Sequence, residues 1–392
     1  MSKNRKNIAI LFSTLVVMML GFGVIIPILP FYIKSFGASG RALGLLMAIH
    51  ATMQFICAPI WGVLSDRYGR KPILIVGVVG NALSHLLFGL STELWMLFAA
   101  RALAGILSSA AMPTAMAYVA DTTTEEDRGG GMGAMSAAIG VGVILGPGLG
   151  GWLGTNSLSL PFFVAAALSA CALLPIITIL PESLLPDART RRPIREDTFP
   201  LKAMFQALLG PIAFLLALSF LLDLGFTAFE GVFGLFALEC YGYGPERVGT
   251  ILVIVGVLFT IMQGILAGPL IRRFGEVLVI KVSLAACSVA FLLMLQAEAF
   301  IGVILTVGFY SVSNSLLRPS LSSLISKRAD CGQGEAMGLN NSFMSLGRII
   351  GPAGAGFLFD VNISLPYICG SFVMFTGFFS GLIWLKRNTQ TR

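Results

Sequence analysis

Long apolar stretches recur along the whole chain and are separated by short segments rich in charges, prolines and glycines. A membrane-spanning helix needs roughly 20 apolar residues, because each residue adds about 1.5 Å to its length. Helices are favoured over strands, since a strand in hydrocarbon would have to close into a barrel. The pattern therefore predicts about twelve helices, at 8–31, 41–65, 72–90, 94–120, 130–154, 158–180, 209–240, 246–270, 277–296, 299–325, 334–359 and 363–385.

Composition and charge agree with a multi-pass membrane protein. Hydrophobic residues make up 56% of the chain and charged residues 11%, which excludes a soluble protein. The cations fall in alternate loops, at 3–6, 67–71, 128, 189–202, 272–273, 327–328 and 386–392, whereas the opposite loops hold only Lys34, Arg41 and Arg247. The positive-inside rule then predicts a cell-membrane protein with both termini in the cytoplasm. The net charge of +7 is a topology signal and predicts no nucleic-acid partner.

The chain contains an internal duplication. Residues 62–72 form a charged turn between the second and third predicted helices, and 268–276 repeat it in degraded form between the eighth and ninth, with Arg272 at the position of Asp66. At a shift of about 205 residues, Gly142 corresponds to Gly347, Gly146-Pro147 to Gly351-Pro352 and Gly151 to Gly356. The sequence therefore predicts an all-α membrane protein with twelve transmembrane helices in two pseudo-symmetric six-helix bundles, at 1–180 and 209–392, joined by a cytoplasmic linker at 181–208.

Two motifs predict gating elements. In the first, Gly69 permits a tight turn, and Asp66 can accept hydrogen bonds from helix N-terminal amides or from Arg70. We expect Asp66 to latch the two halves on the cytoplasmic side while Arg70 pairs with Asp121; the alternative is a turn that serves only the positive-inside rule. In the second, Pro147 removes a helix hydrogen bond and the glycines leave a face for close packing. The predicted gating residues are Gly62, Asp66, Arg67, Gly69, Arg70, Asp121, Gly142, Gly146, Pro147 and Gly151.

These motifs resemble those of the major facilitator superfamily, and in particular its twelve-span drug:proton antiporter branch. The segments 20–30, 101–105 and 181–183 look like that branch, and 225–230, 317–319 and 338–343 are similar to the quinolone and multidrug efflux pumps of Gram-positive bacteria. The resemblance covers about residues 8 to 385. It implies the major facilitator fold and proton-coupled efflux of amphipathic compounds by alternating access.

Five charged residues lie deep inside predicted spans rather than near their ends: Arg101, Asp223, Glu230, Arg318 and Arg348. Each costs roughly 2.5–3.5 kcal/mol at that depth, so we expect them to face the bundle interior and to be paired. Asp223 and Glu230 are seven residues apart on one helix face, and Arg318 lies at a depth compatible with Asp223. That pair could be structural, or protonation could break it.

The resemblance implies that Glu230 carries the coupled proton; the alternative is a structural ion pair with an arginine of the same bundle. The chain departs from its presumed relatives at two acidic positions, since it has Met18 or Met19 in the first span and Ser315 in the tenth. Glu230 is therefore expected to act with Asp223 or alone.

A cavity for amphipathic substrates would need apolar walls with a few polar groups. The candidates in this sequence are Gln54, Met112, Ser136, Phe226, Phe229, Phe233, Gln263, Asn340, Asn341 and Phe343. The alternative for each is packing against other helices or lipid.

The energy source is inferred from what the sequence lacks. It has no phosphate-binding G-x-x-x-x-G-K-[ST] segment and no His, Cys and Asp cluster, and its six cysteines lack paired spacing. These absences predict a secondary transporter driven by an ion gradient, and the resemblance implies that the coupled ion is the proton. The chain is expected to be no enzyme and to need no metal or other cofactor. It is expected to be a monomer whose partners are small molecules, protons and the lipid bilayer. Two alternatives stay open: a dedicated proton-coupled exporter of one endogenous metabolite, lipid or sugar, and a non-transporting membrane sensor or scaffold.

Overall fold

In a computed structural model, which describes residues 3–184, 189, 201–330 and 332–385, twelve long helices account for most of the chain. They are α1 (Lys3–Ser35), α2 (Gly40–Tyr68), α3 (Arg70–Gly89), α4 (Leu94–Thr122), α5 (Glu125–Gly154), α6 (Leu160–Thr178), α7 (Ala213–Tyr241), α8 (Pro245–Phe274), α9 (Glu276–Met294), α10 (Phe300–Arg328), α11 (Gln333–Val361) and α12 (Leu365–Trp384). A short helix, Leu201–Ala207, precedes α7.

Eleven of these helices are long and apolar enough to cross a membrane, as judged over the described ranges. The twelfth, α11, is as long as most of the others, at 29 residues, but carries more polar groups, among them Asn340, Asn341 and Arg348. The predicted all-helical fold with twelve membrane helices is confirmed.

The start of α5 was predicted wrongly. The helix begins at Glu125 rather than at 130. The Thr124 hydroxyl accepts a hydrogen bond from the Asp127 backbone N–H at 3.3 Å, and Glu125, Glu126 and Asp127 occupy the first turn. Carboxylates stabilise a helix N-terminus, so charges that suggested a gap in the sequence in fact begin a helix.

The chain divides into two compact units. The first comprises residues 1–38, 49–199 and 242–253, and the second comprises 39–48, 200–241 and 254–392. Residues 40–48 at the start of α2 therefore belong to the second unit, although the sequence assigned them to the first half. Residues 245–253 at the start of α8 belong to the first unit, although they were assigned to the second half. Most of the predicted linker, residues 185–188 and 190–200, lies outside the described residues, as does Cys331.

The same helix pairs recur in both units. In the first unit α1 packs against α5 and α3 against α6, and in the second α7 packs against α11 and α9 against α12. Each pair in the second unit is six helices further along the chain than its counterpart. The duplicated sequence motifs therefore coincide with duplicated packing.

An aromatic cluster occupies the core of the second unit. The ring centroid of Phe229 lies 5.1 Å from those of Phe233 and Tyr310, and Tyr310 lies 4.7 Å from Phe291. All four side chains are buried. This packing fixes the middle of α7, which carries the acidic residues considered below.

Candidate functional site

Close contact between α7 and α11 depends on glycine. A Cβ atom on Gly347 would lie 2.6 Å from the Phe220 carbonyl oxygen and 2.7 Å from the Leu224 nitrogen. A Cβ on Gly351 would lie 2.5 Å from the Leu224 carbonyl oxygen. Only glycine lets the two helix backbones approach this closely. The side chain next to Gly347, that of Arg348, is thereby brought within reach of α7.

Asp223 is the centre of an ion cluster in the second unit. Its side chain is fully buried, and its Oδ1 atom accepts hydrogen bonds from Arg318 Nη2 and, at 3.2 Å, from Arg348 Nε. The predicted pairing of Asp223 with Arg318 is confirmed, and Arg348 is a second partner that the sequence did not assign. Asp223 Oδ2 has no hydrogen-bond partner within the described part of the chain.

Both guanidiniums are more accessible than the carboxylate they share. The side chain of Arg318 is 29% exposed and that of Arg348 is 39% exposed, against 0% for Asp223. The Arg318 Cζ atom also lies 5.6 Å from the centroid of the Phe226 ring. The cluster therefore presents positive charge and one aromatic side chain outward from a buried carboxylate.

Glu230 lies on α7 seven residues beyond Asp223 and is half-buried. Seven residues make nearly two helical turns, so both carboxyl groups belong to one face. With both acids ionised, the two carboxylates balance the charges of Arg318 and Arg348. Uptake of one proton would leave this group of four with a formal charge of +1, so the arrangement can couple protonation to the binding of another charge.

The predicted substrate contacts have different surroundings. Phe229 and Phe233 belong to the aromatic cluster, and Phe343 and Asn340 are also buried. The Asn340 side-chain amide donates to the Met344 sulfur at 3.4 Å. Those that are exposed or half-buried are Gln54, Met112, Ser136, Phe226, Gln263 and Asn341. Phe226 is the one that the described contacts place beside the ion cluster; substrate contact itself stays a prediction for all ten.

The remaining intramembrane charge, Arg101, lies in the first unit. It is buried in α4, with its Cζ atom 5.9 Å from the centroid of Phe88. In the same unit His85 lies with one ring nitrogen 2.7 Å from the Asn81 carbonyl oxygen and the other 3.0 Å from that of Gly21. These contacts favour packing as the role of His85.

The turn between α2 and α3 is held by Arg70. Gly69 has φ 107°, a conformation that favours glycine. Arg70 Nε donates to Asp121 Oδ2 at 2.9 Å, as the sequence predicted, and its Nη1 donates to Asp66. Glu182 also contributes, because its carboxylate accepts from the backbone N–H groups of Arg70 at 2.8 Å and of Lys71 at 3.2 Å.

Glu182 was missed as a structural partner, although its position directly after α6 could have suggested it. Its carboxylate caps the first turn of α3, where unsatisfied N–H groups are expected. The other predicted gating residues of this motif make less contact: Arg67 lies over the ring of Tyr68, and a Cβ on Gly62 would meet nothing within 4 Å.

The second copy of this turn is built with the opposite charges. Gly275 has φ 79°, and Glu276, at the position of Arg70, pairs with Lys327, which corresponds to Asp121. Ser323 Oγ donates to the Glu276 carboxylate at 2.9 Å. Arg272 likewise replaces Asp66. Three charged positions have therefore changed sign together between the halves.

The glycine motif of α5 packs as the sequence predicts. A Cβ on Gly142 would lie 2.5 Å from Met19 Cβ, and one on Gly146 would lie 2.6 Å from the Leu20 carbonyl oxygen, so α5 closely contacts α1. A Cβ on Gly151 would lie 2.9 Å from the Gly249 Cα atom. Pro147 lies within α5 without ending it.

An acid that the sequence analysis missed lies at the end of α11. The Asp360 carboxylate accepts from the backbone N–H groups of Gly40 at 2.7 Å and Arg41 at 3.0 Å, and Arg41 Nε lies 3.5 Å from it. It therefore caps the start of α2 within the second unit. The sequence could have suggested this role, because Asp360 is an isolated acid four residues after Gly356.

Replacing Gly347 with alanine is expected to lower the melting temperature of the purified protein. The added methyl group would force α11 away from α7 and separate Arg348 from Asp223, at a cost of about 1–3 kcal/mol. The matched control is Gly354→Ala in the same helix, where a Cβ would meet nothing within 4 Å. Equal melting temperatures for the two variants in the same detergent would show that the close contact is not needed.

Comparison with known proteins places this architecture in a family. The Major Facilitator Superfamily profile matches residues 11–352. Multidrug resistance protein 2 of Bacillus subtilis (strain 168) is 35% identical over 97% of this chain and 96% of its own. The quinolone resistance protein NorA of Staphylococcus aureus is 31% identical over 92% of each chain.

Solved structures share the fold. The human organic anion transporter MFSD10 (TETRAN) superposes with a TM-score of 0.71 at 24% identity, covering 96% of this chain and 99% of its own. The nucleoside transporter NupG gives a TM-score of 0.81 at 14% identity, covering 99% of this chain and 100% of its own. At these identities the likeness concerns the fold alone. With a profile match across most of its length and full-length relatives above 30% identity, the chain belongs to the major facilitator superfamily, a family of membrane transporters.

Proposed function

We propose that this transporter is a proton-coupled multidrug efflux antiporter that exports amphipathic compounds by alternating access. Full-length relatives named for multidrug and quinolone resistance support this choice of substrate class. The observation that carries the coupling mechanism is the cluster on α7, in which two carboxyl groups share a helix face next to two guanidiniums.

Within this cluster the two acids have different roles. Asp223 is fully buried and its charge is stabilised by hydrogen bonds from Arg318 and Arg348, so it orients the guanidiniums. Glu230 is half-buried on the same helix and acts as the principal proton carrier. Proton uptake at Glu230 changes the charge of the cluster by one unit, and a cationic substrate competes for the same charge balance.

Substrate selection depends on accessible side chains of the second unit. Phe226 lies beside Arg318 and provides an aromatic surface, and the exposed polar groups Gln263 and Asn341 are candidates for further contacts. Adaptable aromatic and methionine surfaces suit compounds of different shape. Phe229 and Phe233 are buried in the aromatic cluster and hold the helix that carries Phe226, and Phe343 is also buried.

The turn motifs provide the gate in this proposal. Arg70, held by Asp66 and Asp121, fixes the turn between α2 and α3. In the proposed cycle Asp66, whose side chain is 49% exposed, latches the two halves in one of the alternating states. The duplicated segments 1–180 and 209–392 are the two bundles, with 181–208 as a cytoplasmic linker. Both termini lie in the cytoplasm of a plasma-membrane protein, as the distribution of cations predicts.

A dedicated exporter of one endogenous metabolite, lipid or sugar is the second candidate. The lack of an acid at Ser315 favours it, since a cavity with fewer carboxylates has less general affinity for cationic drugs. Intact glycine packing in both halves and the acid pair on one helix face argue against a sensor or scaffold that does not transport.

The test is transport by purified protein in liposomes under an imposed pH gradient. Ethidium and norfloxacin differ in shape and charge, and we expect both to move uphill only while the gradient lasts. Transport of neither compound by folded protein would overturn the multidrug proposal and favour the dedicated exporter.

A further inference from the structure

A cavity lies between the end of α8, the start of α9 and the end of α10. Its volume is about 710 Å³. It is lined by Arg273, Phe274, Gly275, Glu276, Val277, Leu278, Lys281, Leu324, Lys327 and Arg328. The lining residues recur at helical spacing, as Val277, Leu278 and Lys281 on α9 and as Leu324, Lys327 and Arg328 on α10, so two helix faces form its walls.

The cavity is strongly basic. Four of its lining residues are cations, and Glu276 is the acidic one, which leaves a formal charge of +3. Glu276 is already engaged by Lys327 and by the Ser323 hydroxyl. Arg273, Lys281 and Arg328 therefore remain to attract an anion.

The corresponding positions of the first half show that this charge is a property of the second half alone. At the duplication shift, Lys281 corresponds to Ile75 and Arg328 to Thr122. The five positions equivalent to the charged lining residues, which also include Arg67, Arg70 and Asp121, carry a formal charge of only +1.

Lys281 places further positive charge in the cavity, five residues into α9, and it is only partly exposed. The positive-inside rule counts cations near the ends of membrane helices, so Lys281 also agrees with the predicted orientation. A lysine this close to a helix end can extend its ammonium group to the membrane interface, where phospholipid phosphates lie. It lines the same cavity as Arg273 and Arg328.

An exposed apolar surface adjoins the charged cavity. Phe274, Leu278 and Val282 are 46%, 47% and 59% exposed. Leu278 and Val282 are one turn apart on α9, so they continue from the cavity along the helix. A ligand that fits this arrangement has an anionic head and a hydrocarbon tail.

We propose that this cavity binds the headgroup of an anionic phospholipid from the surrounding bilayer. Arg273, Lys281 and Arg328 contact the phosphate, and the acyl chains lie against Leu278 and Val282. Basic pockets between membrane helices are suited to such headgroups. The phosphate of the bound lipid also neutralises the neighbouring cations, so that they do not compete with Lys327 for the Glu276 carboxylate.

The test compares retention of phosphatidylglycerol and phosphatidylcholine by the purified full-length protein, measured by native mass spectrometry. Wild type is expected to retain phosphatidylglycerol selectively. The double variant Lys281→Met/Arg328→Gln should weaken its binding by about fivefold for each charge removed, which corresponds to about 1 kcal/mol per cation. Both substitutions leave the Glu276–Lys327 pair in place.

The control Arg5→Gln/Arg128→Gln removes two exposed cations from the first half and should bind like wild type. An equal loss in this control would show a dependence on total charge and would overturn the assignment to the cavity. Unchanged retention by the cavity variant would do the same. Displacement of the lipid by millimolar inorganic phosphate would identify a soluble anion as the occupant instead.

Should the double variant fail to fold, Lys281→Met alone provides the comparison. Its melting temperature should rise less than that of wild type when phosphatidylglycerol is added, because a ligand that binds only the folded state stabilises it in proportion to its affinity. An equal rise would overturn the proposal.

Discussion

Replacing Glu230 with glutamine is expected to abolish uphill drug efflux. The amide keeps the shape and polarity of the side chain but cannot take up or release a proton, so the charge of the α7 cluster no longer changes during the cycle. In proteoliposomes with a difference of one pH unit across the membrane, we expect the accumulation ratio of ethidium to fall by about tenfold, since exchange against one proton supports a ratio of about this size.

Two comparisons separate this effect from misfolding. Glu239→Gln changes an exposed acid nine residues further along α7 and should leave uphill transport intact. Exchange of drug down its own gradient, measured without a pH difference, should persist in Glu230→Gln. Full uphill activity of Glu230→Gln would reject its role as proton carrier while leaving the multidrug proposal open.

Replacing Asp223 with asparagine is expected to be the most destabilising single change in the second unit. It would leave Arg318 and Arg348, whose side chains are 29% and 39% exposed, beside a neutral amide, and loss of a hydrogen bond to a charged group costs about 1.5–3 kcal/mol. The melting temperature of the purified variant in detergent should fall well below that of wild type, and transport should fall with it.

A double-mutant cycle measures the coupling directly. The variant Asp223→Asn/Arg348→Gln removes one cation together with the carboxylate, so it should melt above Asp223→Asn alone. Strictly additive effects of the two substitutions would show that Arg348 and Asp223 do not interact. The cycle also tests whether the close approach of α7 and α11 positions this pair.

Much of the fold could be predicted from patterns that are visible in the sequence. Apolar length and the cation pattern predicted twelve helices, and duplicated glycines such as Gly142 and Gly347 indicated where helices pack most closely. The boundary at Glu125 could not be predicted in this way, because acids at a helix start and acids in a loop look alike in hydropathy. Membership of 39–48 in the second unit is likewise a tertiary property with no local signal.

The site was only partly predictable for a similar reason. Depth along a helix sufficed to pair Asp223 with Arg318, but the second partner, Arg348, depends on how closely α11 approaches α7. That distance is set by Gly347 and Gly351 acting together with the backbone of α7. Glu182 and Asp360 act on backbone N–H groups far away in the chain, and such contacts carry no spacing pattern.

The sign reversal between the two turn motifs has a consequence for the exchange of helices between the halves. Arg70 pairs with Asp121, whereas Glu276 pairs with Lys327. A chimera that carries α9 in place of α3 would set Glu276 against Asp121, and the reciprocal exchange would set Arg70 against Lys327. Either arrangement opposes like charges, so the exchanged helix would lose its ion pair with the rest of its new half. The charged turn of each half is therefore matched to the helices of that half.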